Sequence, residues 1–232
     1  PGSDLRDMRD RPGKALTREP GKSRFRPNNT LQPLALPVPT GNIAWRGPAA
    51  LGLRHARAVR MGIAHMRLAL LTDIHGNREA LEAVLTDLAA RRIDRIAVLG
   101  DLVGYGPDPG WCADKVMDLA DQGAICVRGN HDNAIGDRSE TMSAIAKTAI
   151  DWTRPRLTPG QAAFLARLPI SQTLDDLLFV HASANESADW LYVTSERSAM
   201  PGFRVSAARV IFCGHVHVPA LFTCDLRGTV RS

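Results

Sequence analysis

Short apolar runs recur along the chain from residue 67 onward, each of them six residues long. Runs of this length and composition are typical of strands buried inside a sheet. A more polar run, LFTCDL at 221–226, is a further candidate. The five runs that predict strands are RLALLT (67–72), RIAVLG (95–100), AICVRG (124–129), LLFVHA (177–182) and RVIFCG (209–214).

Helical patterns fill the stretches between these runs. One apolar stripe predicts a helix from about Asn77, with apolar residues at i, i+3, i+4 and i+7, namely Leu81, Val84, Leu85 and Leu88. Further helices are expected over about 109–121, near 141–155, and from Thr158, whose spacing to Gln161 is that of a capping box. Strands that alternate with helices predict an α/β layered fold whose first sheet is mostly parallel.

Residues 1–65 have a different composition from the rest of the chain. They are rich in proline, glycine and arginine, as in RPGKALTREPGKSRFRPNN, and show neither helical nor strand periodicity. Such a stretch buries too little apolar surface to offset the entropy lost on ordering. We expect a disordered basic extension, or upstream sequence translated in error. The four acidic residues and the prolines count against a transit peptide. The folded domain is expected over 66–232.

The basic charge of the chain is confined to that first segment. The sequence pI is about 9.4, yet residues 1–65 carry a net charge of +8 and residues 66–232 a net charge of −3. Nucleic acid is therefore not indicated as a partner of the folded part. No apolar stretch approaches the roughly 18 residues of a membrane span. The four cysteines are scattered without a C-x-x-C pair, so a reducing cytoplasm is the simplest setting.

Polar side chains with metal-binding chemistry follow the apolar runs, at the points where the strands should end. In open α/β sheets that edge is where ligands bind. Five of the seven histidines lie there, whereas His55 and His65 lie in the first segment. The residues at the strand ends are Asp73, His75, Asp101, Asn130, His131, His181, His215 and His217.

The spacing and type of these residues indicate a metal site. Residues i and i+2 of an extended chain face the same side, so Asp73 can converge with His75, and His215 with His217. Carboxylate, amide and imidazole ligands without cysteine suit divalent first-row metals such as manganese, iron or zinc. One carboxylate that bridges two ions is the usual arrangement for two-metal phosphoester hydrolysis.

The same residues resemble the motifs of the calcineurin-like metallophosphoesterase superfamily. The match spans residues 67–217, and the stretches DIHGNREAL, GDLVGYGPDP and VRGNHD are most similar to a bacterial subgroup of small stand-alone members. This resemblance implies a four-layer α/β/β/α sandwich. The five motifs, in the family's order, are Asp73-Ile74-His75, Gly100-Asp101-Leu102-Val103-Gly104, Gly129-Asn130-His131-Asp132, the single His181 and Gly214-His215-Val216-His217.

The resemblance also implies a role for each residue in the hydrolysis of a small phosphoester. Two divalent ions are expected, with manganese first and iron, zinc, nickel or magnesium as alternatives. Asp101 would bridge the two ions, and a hydroxide between them would attack phosphorus. The first ion would be held by Asp73, His75, Asp101 and His217, and the second by Asp101, Asn130, His181 and His215.

Catalysis and substrate binding are assigned to the same strand ends by this resemblance. His131 would act with Asp101 as a catalytic residue, by donating a proton or a hydrogen bond to the leaving oxygen. Asn130, His131 and Arg128 would contact the substrate phosphate. Arg128 could equally pair with a carboxylate for structural reasons.

Structural readings compete with each of these assignments. Asp101 could cap a turn, His181 could be an ordinary structural histidine, and Asp132 is read as the N-cap of a following helix. Tyr105 and Asp108 are read as loop residues, with a role in substrate binding as the lesser alternative. Taken together, however, so many acids and imidazoles at one edge would be left repelling or unsatisfied without a bound metal or ligand.

Two departures from the family pattern bear on activity. The chain ends 15 residues after His217, without the Asn-Pro-Gly loop of relatives, so we expect a C-terminal truncation with an open sheet edge. Val103-Gly104-Tyr105 stands where protein Ser/Thr phosphatases carry Asp-Arg, which disfavours a phosphoprotein phosphatase. The expected function is a two-metal phosphoesterase, with diesters slightly favoured over monoesters. The alternatives are a non-catalytic binding scaffold of the same fold and an inactive truncated fragment.

Overall fold

The computed structural model describes residues 66–232. The disorder expected for residues 1–65 lies outside the described residues. Within the described part, the helices are α1 Arg78–Ala89, α2 Pro109–Asp121, α3 Asn130–Gly136, α4 Ala144–Thr153, α5 Pro159–Arg167 and α6 Glu196–Val205, with 3-10 turns at Arg154–Arg156 and Ser187–Asp189. The strands are β1 Leu68–Leu71, β2 Arg95–Val98, β3 Ile125–Cys126, β4 Ser171–Leu174, β5 Leu177–Val180, β6 Val210–Phe212, β7 Thr223–Cys224 and β8 Val230–Arg231.

Two three-stranded sheets carry the domain. The first has the order β1-β2-β3 and is wholly parallel, with Leu70 opposite Ala97 and Ala97 opposite Ile125. This confirms the predicted parallel sheet. The second has the order β4-β5-β6, in which β4 runs antiparallel to β5 and β5 runs parallel to β6. Strands β7 and β8 form a separate antiparallel pair.

Two apolar cores fix how the layers stack. One core lies between the first sheet and helices α1, α2 and α5, where Leu71 and Val98 meet Leu81 and Val116. The other core lies between the two sheets and includes Phe179, which is fully buried. Because β1, β2 and β3 are parallel, their carboxyl ends lie at the same edge of the first sheet.

A fourth layer covers the outer face of the second sheet. Phe179 and Phe212 point into the core between the sheets, so Ile211, one position earlier, faces outward. Helix α6 lies against this face, since a Cβ built on Gly202 would lie 3.8 Å from Ile211 Cδ1. The order of helices, sheet, sheet and helix confirms the predicted α/β class and its layering.

Helix α5 begins as its sequence predicted. Thr158 Oγ1 accepts a hydrogen bond from the Gln161 N–H at 3.2 Å, and Gln161 Oε1 accepts one from the Thr158 N–H at 2.9 Å. This reciprocal pair satisfies two of the donors that a helix start leaves free. Among the described residues, no helix is both long and apolar enough to span a bilayer.

Four elements were not predicted, namely β4, β8, α3 and α6. Strand β4, SQTL, is largely exposed and polar, so it gives no apolar signal. Helix α6 has mixed polarity and an internal Pro201, which is unfavourable inside a helix. Helix α3 begins at Asn130 with Gly129 as its N-cap, so the reading of Asp132 as an N-cap was wrong. Asp132 is instead the third residue of α3, and its carboxylate accepts from the Gly129 N–H at 3.1 Å.

Candidate metal centre

The side chains singled out at the strand ends lie in two adjacent clusters. The first cluster consists of Asp73, His75 and His217. His217 Nε2 lies 3.2 Å from Asp73 Oδ1 and 3.1 Å from His75 Nε2. Residues from the loops after β1 and β6, which belong to different sheets, therefore point ring nitrogens and a carboxylate oxygen at one spot.

The second cluster consists of Asp101, Asn130, His181 and His215. His181 Nε2 is its centre, at 3.4 Å from Asp101 Oδ2, 3.2 Å from Asn130 Oδ1 and 3.1 Å from His215 Nδ1. These four residues follow β2, β3, β5 and β6. Four strand ends from both sheets thus supply one cluster.

Asp101 connects the two clusters. Its Oδ2 atom lies 3.7 Å from His75 Nε2 in the first cluster and 3.4 Å from His181 Nε2 in the second. The other oxygen, Oδ1, accepts a hydrogen bond from the His131 N–H at 2.9 Å. Since the side chain is 2% exposed, the carboxylate is held between the clusters and is almost fully shielded from solvent.

The distances within the clusters fit divalent metal ions. Ligand atoms about 2.1 Å from one ion are roughly 3.0 to 3.4 Å from each other in octahedral or tetrahedral coordination. Most of the separations above lie in this range, at 3.1, 3.2, 3.1, 3.2 and 3.4 Å. Two imidazole nitrogens at such a distance can share only one proton. The donor set is therefore better satisfied by a cation than by the side chains alone.

Hydrogen bonds behind the histidines fix which ring nitrogen faces each cluster. His75 Nδ1 lies 3.2 Å from the Val103 carbonyl, and His181 Nδ1 lies 2.7 Å from the Leu99 carbonyl. A carbonyl accepts only, so each Nδ1 carries the proton and donates it. In the neutral form of either ring Nε2 then holds the lone pair, which is the arrangement that metal-binding histidines require.

An unusual backbone conformation brings these side chains together. Nine non-glycine residues of the described chain have positive φ, and five of them belong to the two clusters. The convergence of Asp73 with His75 therefore does not come from an extended chain, as their spacing suggested. Left-handed backbone costs of order 1–2 kcal/mol per residue and collects where function demands it. The five residues are Asp73 (53°), His75 (50°), Asp101 (52°), His215 (68°) and His217 (59°).

The loops hold this conformation by pairing with each other. The Asp73 N–H donates to the Gly100 carbonyl at 3.1 Å, and the His75 N–H donates to the Asp101 carbonyl at 2.8 Å. The Asp73 carboxylate in turn accepts from the His215 N–H at 3.0 Å. These bonds join the ends of β1, β2 and β6 and offset the cost of the left-handed residues.

Gly129 is required because the backbone passes against the shared carboxylate. A Cβ at Gly129 would collide with the Asp101 side chain and with its backbone nitrogen. The G-N-H-D motif therefore needs glycine before Asn130 for close approach rather than for an unusual φ.

Asp132 ties the loop that carries Asn130 and His131 to the loop that carries Asp101. Its carboxylate accepts from the Leu102 N–H at 2.9 Å as well as from the Gly129 N–H. The side chain is 1% exposed. Asp132 thus positions residues of both clusters without touching the space between them.

A cleft of about 700 Å³ opens above the clusters. It is lined by His75, Asp101, Asn130, His131, His215 and His217 together with residues of the loops around 140 and 190. Its size is that of an ordinary small-molecule site.

The comparisons with known proteins agree with this geometry. A family model described as calcineurin-like phosphoesterase matches residues 66–219, which is more than half of the chain. The chain belongs to the calcineurin-like phosphoesterase family. The resemblance drawn from the five sequence motifs is thereby confirmed.

Two known proteins are similar to this chain over part of its length. An uncharacterised protein of Methanocaldococcus jannaschii is 34% identical over 161 residues, covering 66% of this chain and 63% of its own length. A symmetrical bis(5′-nucleosyl)-tetraphosphatase of Edwardsiella ictaluri is 31% identical over 144 residues, covering 58% of this chain and 49% of its own length.

A solved structure is also similar to this chain. The crystal structure of a metallophosphoesterase from Sphaerobacter thermophilus is 38% identical, with a TM-score of 0.60, and the match covers 70% of this chain and 65% of that one. The chain thus spans between about half and two thirds of the length of these three proteins.

The electrostatics of the clusters follow from burial and from Asp101. Burial opposes ionisation of Asp101, but the charge and hydrogen bond of His181 hold the pKa of this carboxyl below its usual range. Burial lowers the pKa of His131 to about 4, so this imidazole is neutral near pH 7. Burial also lowers the pKa of His75 and of His215. Neutral imidazoles are the form that binds metal.

The pKa values of His181 and Asp132 are raised instead. Although burial acts against it, the Asp101 charge raises the pKa of His181 to about 9. Burial and the same Asp101 charge raise the pKa of Asp132 above the usual carboxyl range. Asp101 is therefore the dominant charge of the centre, and a cation beside it would take over the role that the His181 proton plays in the metal-free protein.

The structure places Arg128 away from the cleft. Its guanidinium Nη1 donates to the Ala166 carbonyl at 3.0 Å, and Arg128 is absent from the lining of the cleft in the described part of the chain. This position supports a structural role for Arg128 and not the expected phosphate contact, although the partner is a backbone carbonyl and not the expected carboxylate.

Several residues of the cleft were missed by sequence reasoning. Tyr105 was read as a loop residue, although its place beside the GDLVG motif could have singled it out. Glu140, Trp190 and Tyr192 gave no signal, because they lie in irregular segments. Glu140 Oε2 accepts from Asn133 Nδ2 at 2.6 Å and from Trp190 Nε1 at 3.1 Å. Glu140 thereby joins helix α3 to the loop after β5.

Proposed function

We propose that this chain hydrolyses phosphoesters with two divalent metal ions, one held by each cluster. The single observation that supports this most is Asp101, whose carboxylate lies within 3.7 Å of His75 Nε2 and within 3.4 Å of His181 Nε2. A carboxylate shared between two sets of ligands is what a two-metal phosphoesterase needs. The catalytic domain of this proposal is residues 66–232, with manganese as the first ion to test.

Each residue has a part in the proposed reaction. Asp73, His75 and His217 would complete the first site with Asp101, and Asn130, His181 and His215 the second. When bound, the ions would polarise the phosphoryl oxygens and lower the pKa of a water molecule. Asn130 and His131 line the cleft beside the clusters and would orient the phosphate.

His131 is the proposed donor to the leaving oxygen. The residue is 4% exposed and lines the cleft beside both clusters. A neutral imidazole carries one N–H donor, which would stabilise the charge that develops on the leaving oxygen.

We further propose that phosphodiesters are preferred over phosphomonoesters. The cleft of about 700 Å³ is much larger than a phosphate group and leaves room for an ester group on each side of phosphorus. The relative named as a bis(5′-nucleosyl)-tetraphosphatase also acts, by its name, on a compound with substituents at both ends. A reducing, cytoplasmic setting remains part of the proposal, since all four cysteines are free.

The test uses manganese-loaded protein with bis-p-nitrophenyl phosphate and p-nitrophenyl phosphate as substrates. Hydrolysis is expected for both, faster for the diester, and should disappear with a chelator and return with added manganese. Asp101→Ala should abolish it. Activity that survives either the chelator or Asp101→Ala would contradict the mechanism, and a faster monoester would contradict the preference for diesters.

A further inference from the structure

Two exposed tyrosines stand over the metal centre, one at each cluster. Tyr192 is 60% exposed and Tyr105 is 51% exposed, and both line the cleft. Exposed aromatic residues are common singly on protein surfaces. Two tyrosines in one cleft, each packed against a candidate metal ligand, indicate a surface for binding.

Tyr192 is held with one face covered and the other free. Its ring stacks on the His215 imidazole, with 4.2 Å between centroids and 22° between planes. Since more than half of the residue remains exposed, the opposite face of the ring is open to the cleft. A planar group bound beside the second cluster would find a stacking surface there.

Tyr105 is fixed at the first cluster. Its ring centroid lies 4.7 Å from that of His75 and 4.6 Å from that of His131, in edge-on and tilted arrangements. Two imidazoles therefore limit the movement of this ring while half of the residue faces the cleft. Each end of the centre thus carries one aromatic surface.

The charge of the cleft limits which phosphoester can bind. Within residues 66–232, no lysine or arginine lines the cleft, whereas Asp101, Glu140 and Asp189 do. Phosphate chains with several negative charges are usually bound by arginine and lysine side chains. In this cleft the oxygens remote from the centre would meet the carboxylates of Glu140 and Asp189 instead.

We infer that the substrate is a phosphodiester with one ionised phosphate group and a planar aromatic substituent, such as a nucleobase, that stacks on Tyr192. This inference rests on the proposed phosphoesterase activity and narrows its substrate. It also separates this chain from the tetraphosphatase relative, since a tetraphosphate bridge carries several charges that the described cleft does not match. Tyr105 supplies a second, weaker aromatic surface at the first cluster.

The test compares two diesters that share one leaving group. Thymidine 5′-(p-nitrophenyl phosphate) carries a base, and methyl p-nitrophenyl phosphate does not. With manganese-loaded protein, kcat/KM for the thymidine ester should be about 5- to 100-fold higher, since stacking of one base on an aromatic residue has that effect on binding. The leaving group and the centre are the same for both esters, so their ratio measures the contribution of the nucleoside, and its loss in a Tyr192 variant measures the part due to stacking.

Variants of Tyr192 show whether this residue is responsible. Tyr192→Leu should bring the ratio close to one, and Tyr192→Phe should preserve it, because the ring rather than the hydroxyl provides the surface. The ratio also cancels any effect of the substitution on His215. Leu191→Ala is the matched control: Leu191 is exposed but lies outside the cleft lining, and this variant should keep the wild-type ratio.

Equilibrium binding gives a readout that is independent of turnover. By calorimetry, thymidine 5′-monophosphate should bind wild type more tightly than methyl phosphate does, and Tyr192→Leu should remove most of the difference. Diadenosine tetraphosphate should be a poorer substrate than the thymidine ester.

The outcomes separate the two proposals. If bis-p-nitrophenyl phosphate is not hydrolysed with any divalent ion, the proposed function fails. If it is hydrolysed but the ester ratio is near one in wild type, or unchanged in Tyr192→Leu, the stacking inference is overturned while the function stands. A higher kcat/KM for diadenosine tetraphosphate than for the thymidine ester would overturn the inference about charge.

Discussion

The two ligand clusters both combine aspartate with histidine, and the second adds Asn130, but they lie in different surroundings. In the second cluster the His181 side chain is fully buried, whereas in the first cluster half of the His217 side chain is exposed. His181 is also held by the Leu99 carbonyl at 2.7 Å. His217 contacts only Asp73 and His75 among the hydrogen bonds and ion pairs of the described residues.

One centre can therefore combine a rigid site, the second cluster, with an accessible site, the first cluster. Partners behind a ligand orient it and strengthen metal binding, typically by 10- to 100-fold. Burial also strengthens the attraction between a cation and Asp101, because the local dielectric is low. We expect the second cluster to bind its ion more tightly and the first to exchange its ion with solvent.

The largest effect is expected from Asp101→Asn, which removes the charge that both clusters share. The amide keeps the shape of the side chain but cannot bridge two cations, so kcat/KM for bis-p-nitrophenyl phosphate should fall by about 1,000-fold or more. Asp118→Asn, at an exposed carboxylate on α2, is the control and should retain wild-type activity. Equal activity in the two variants would show that Asp101 does not join the clusters.

Gly129→Ala should damage the second cluster through packing alone. The new Cβ would collide with Asp101, and overpacking of a rigid site costs about 1–3 kcal/mol. Thermal unfolding should therefore begin at lower temperature, and metal affinity should fall. Gly136→Ala is the matched glycine control, since no atom lies within 4 Å of its built Cβ.

In the control variant a helical glycine becomes alanine, which should leave stability unchanged or raise it by up to about 1 kcal/mol. Similar unfolding temperatures for the two alanine variants would contradict the close approach at Gly129.

A smaller effect is expected on the unfolding free energy of the metal-free protein, and it should differ between variants of the two clusters. His181→Gln leaves the buried Leu99 carbonyl without its donor, which costs about 1–3 kcal/mol of unfolding free energy. His217→Gln changes a half-exposed side chain and should stay within about 0.5 kcal/mol of wild type. Urea denaturation in the presence of a chelator measures both. Equal losses would contradict the assignment of a rigid and an accessible cluster.

Much of the fold was predictable because its signals are local. Apolar runs marked β1, β2, β3, β5 and β6, and the Thr158–Gln161 spacing marked the start of α5. The same logic fails for β4, since an exposed edge strand such as SQTL has no apolar pattern. It also fails for α6, where Pro201 stands in the helix and packing against the second sheet outweighs local preference.

The candidate ligands were predictable because each follows a strand, but the way they converge was not. Alternation along an extended chain was expected to bring Asp73 to His75, whereas both residues have left-handed backbone. Such conformations depend on hydrogen bonds between distant loops, such as the one from the Asp73 N–H to the Gly100 carbonyl. For the same reason Tyr192 and Glu140, which come from loops far apart in sequence, could not be placed at the cleft.

The most direct test of the two-cluster account is the number of metal ions bound per chain. Equilibrium dialysis against manganese, followed by elemental analysis, should give two ions for wild type and one for His217→Gln, with the tighter ion retained. Asp101→Asn should lose the ions of both clusters at the same free manganese concentration. A wild-type protein that binds one ion or none, or a His217→Gln variant that still binds two with unchanged affinity, would contradict the account.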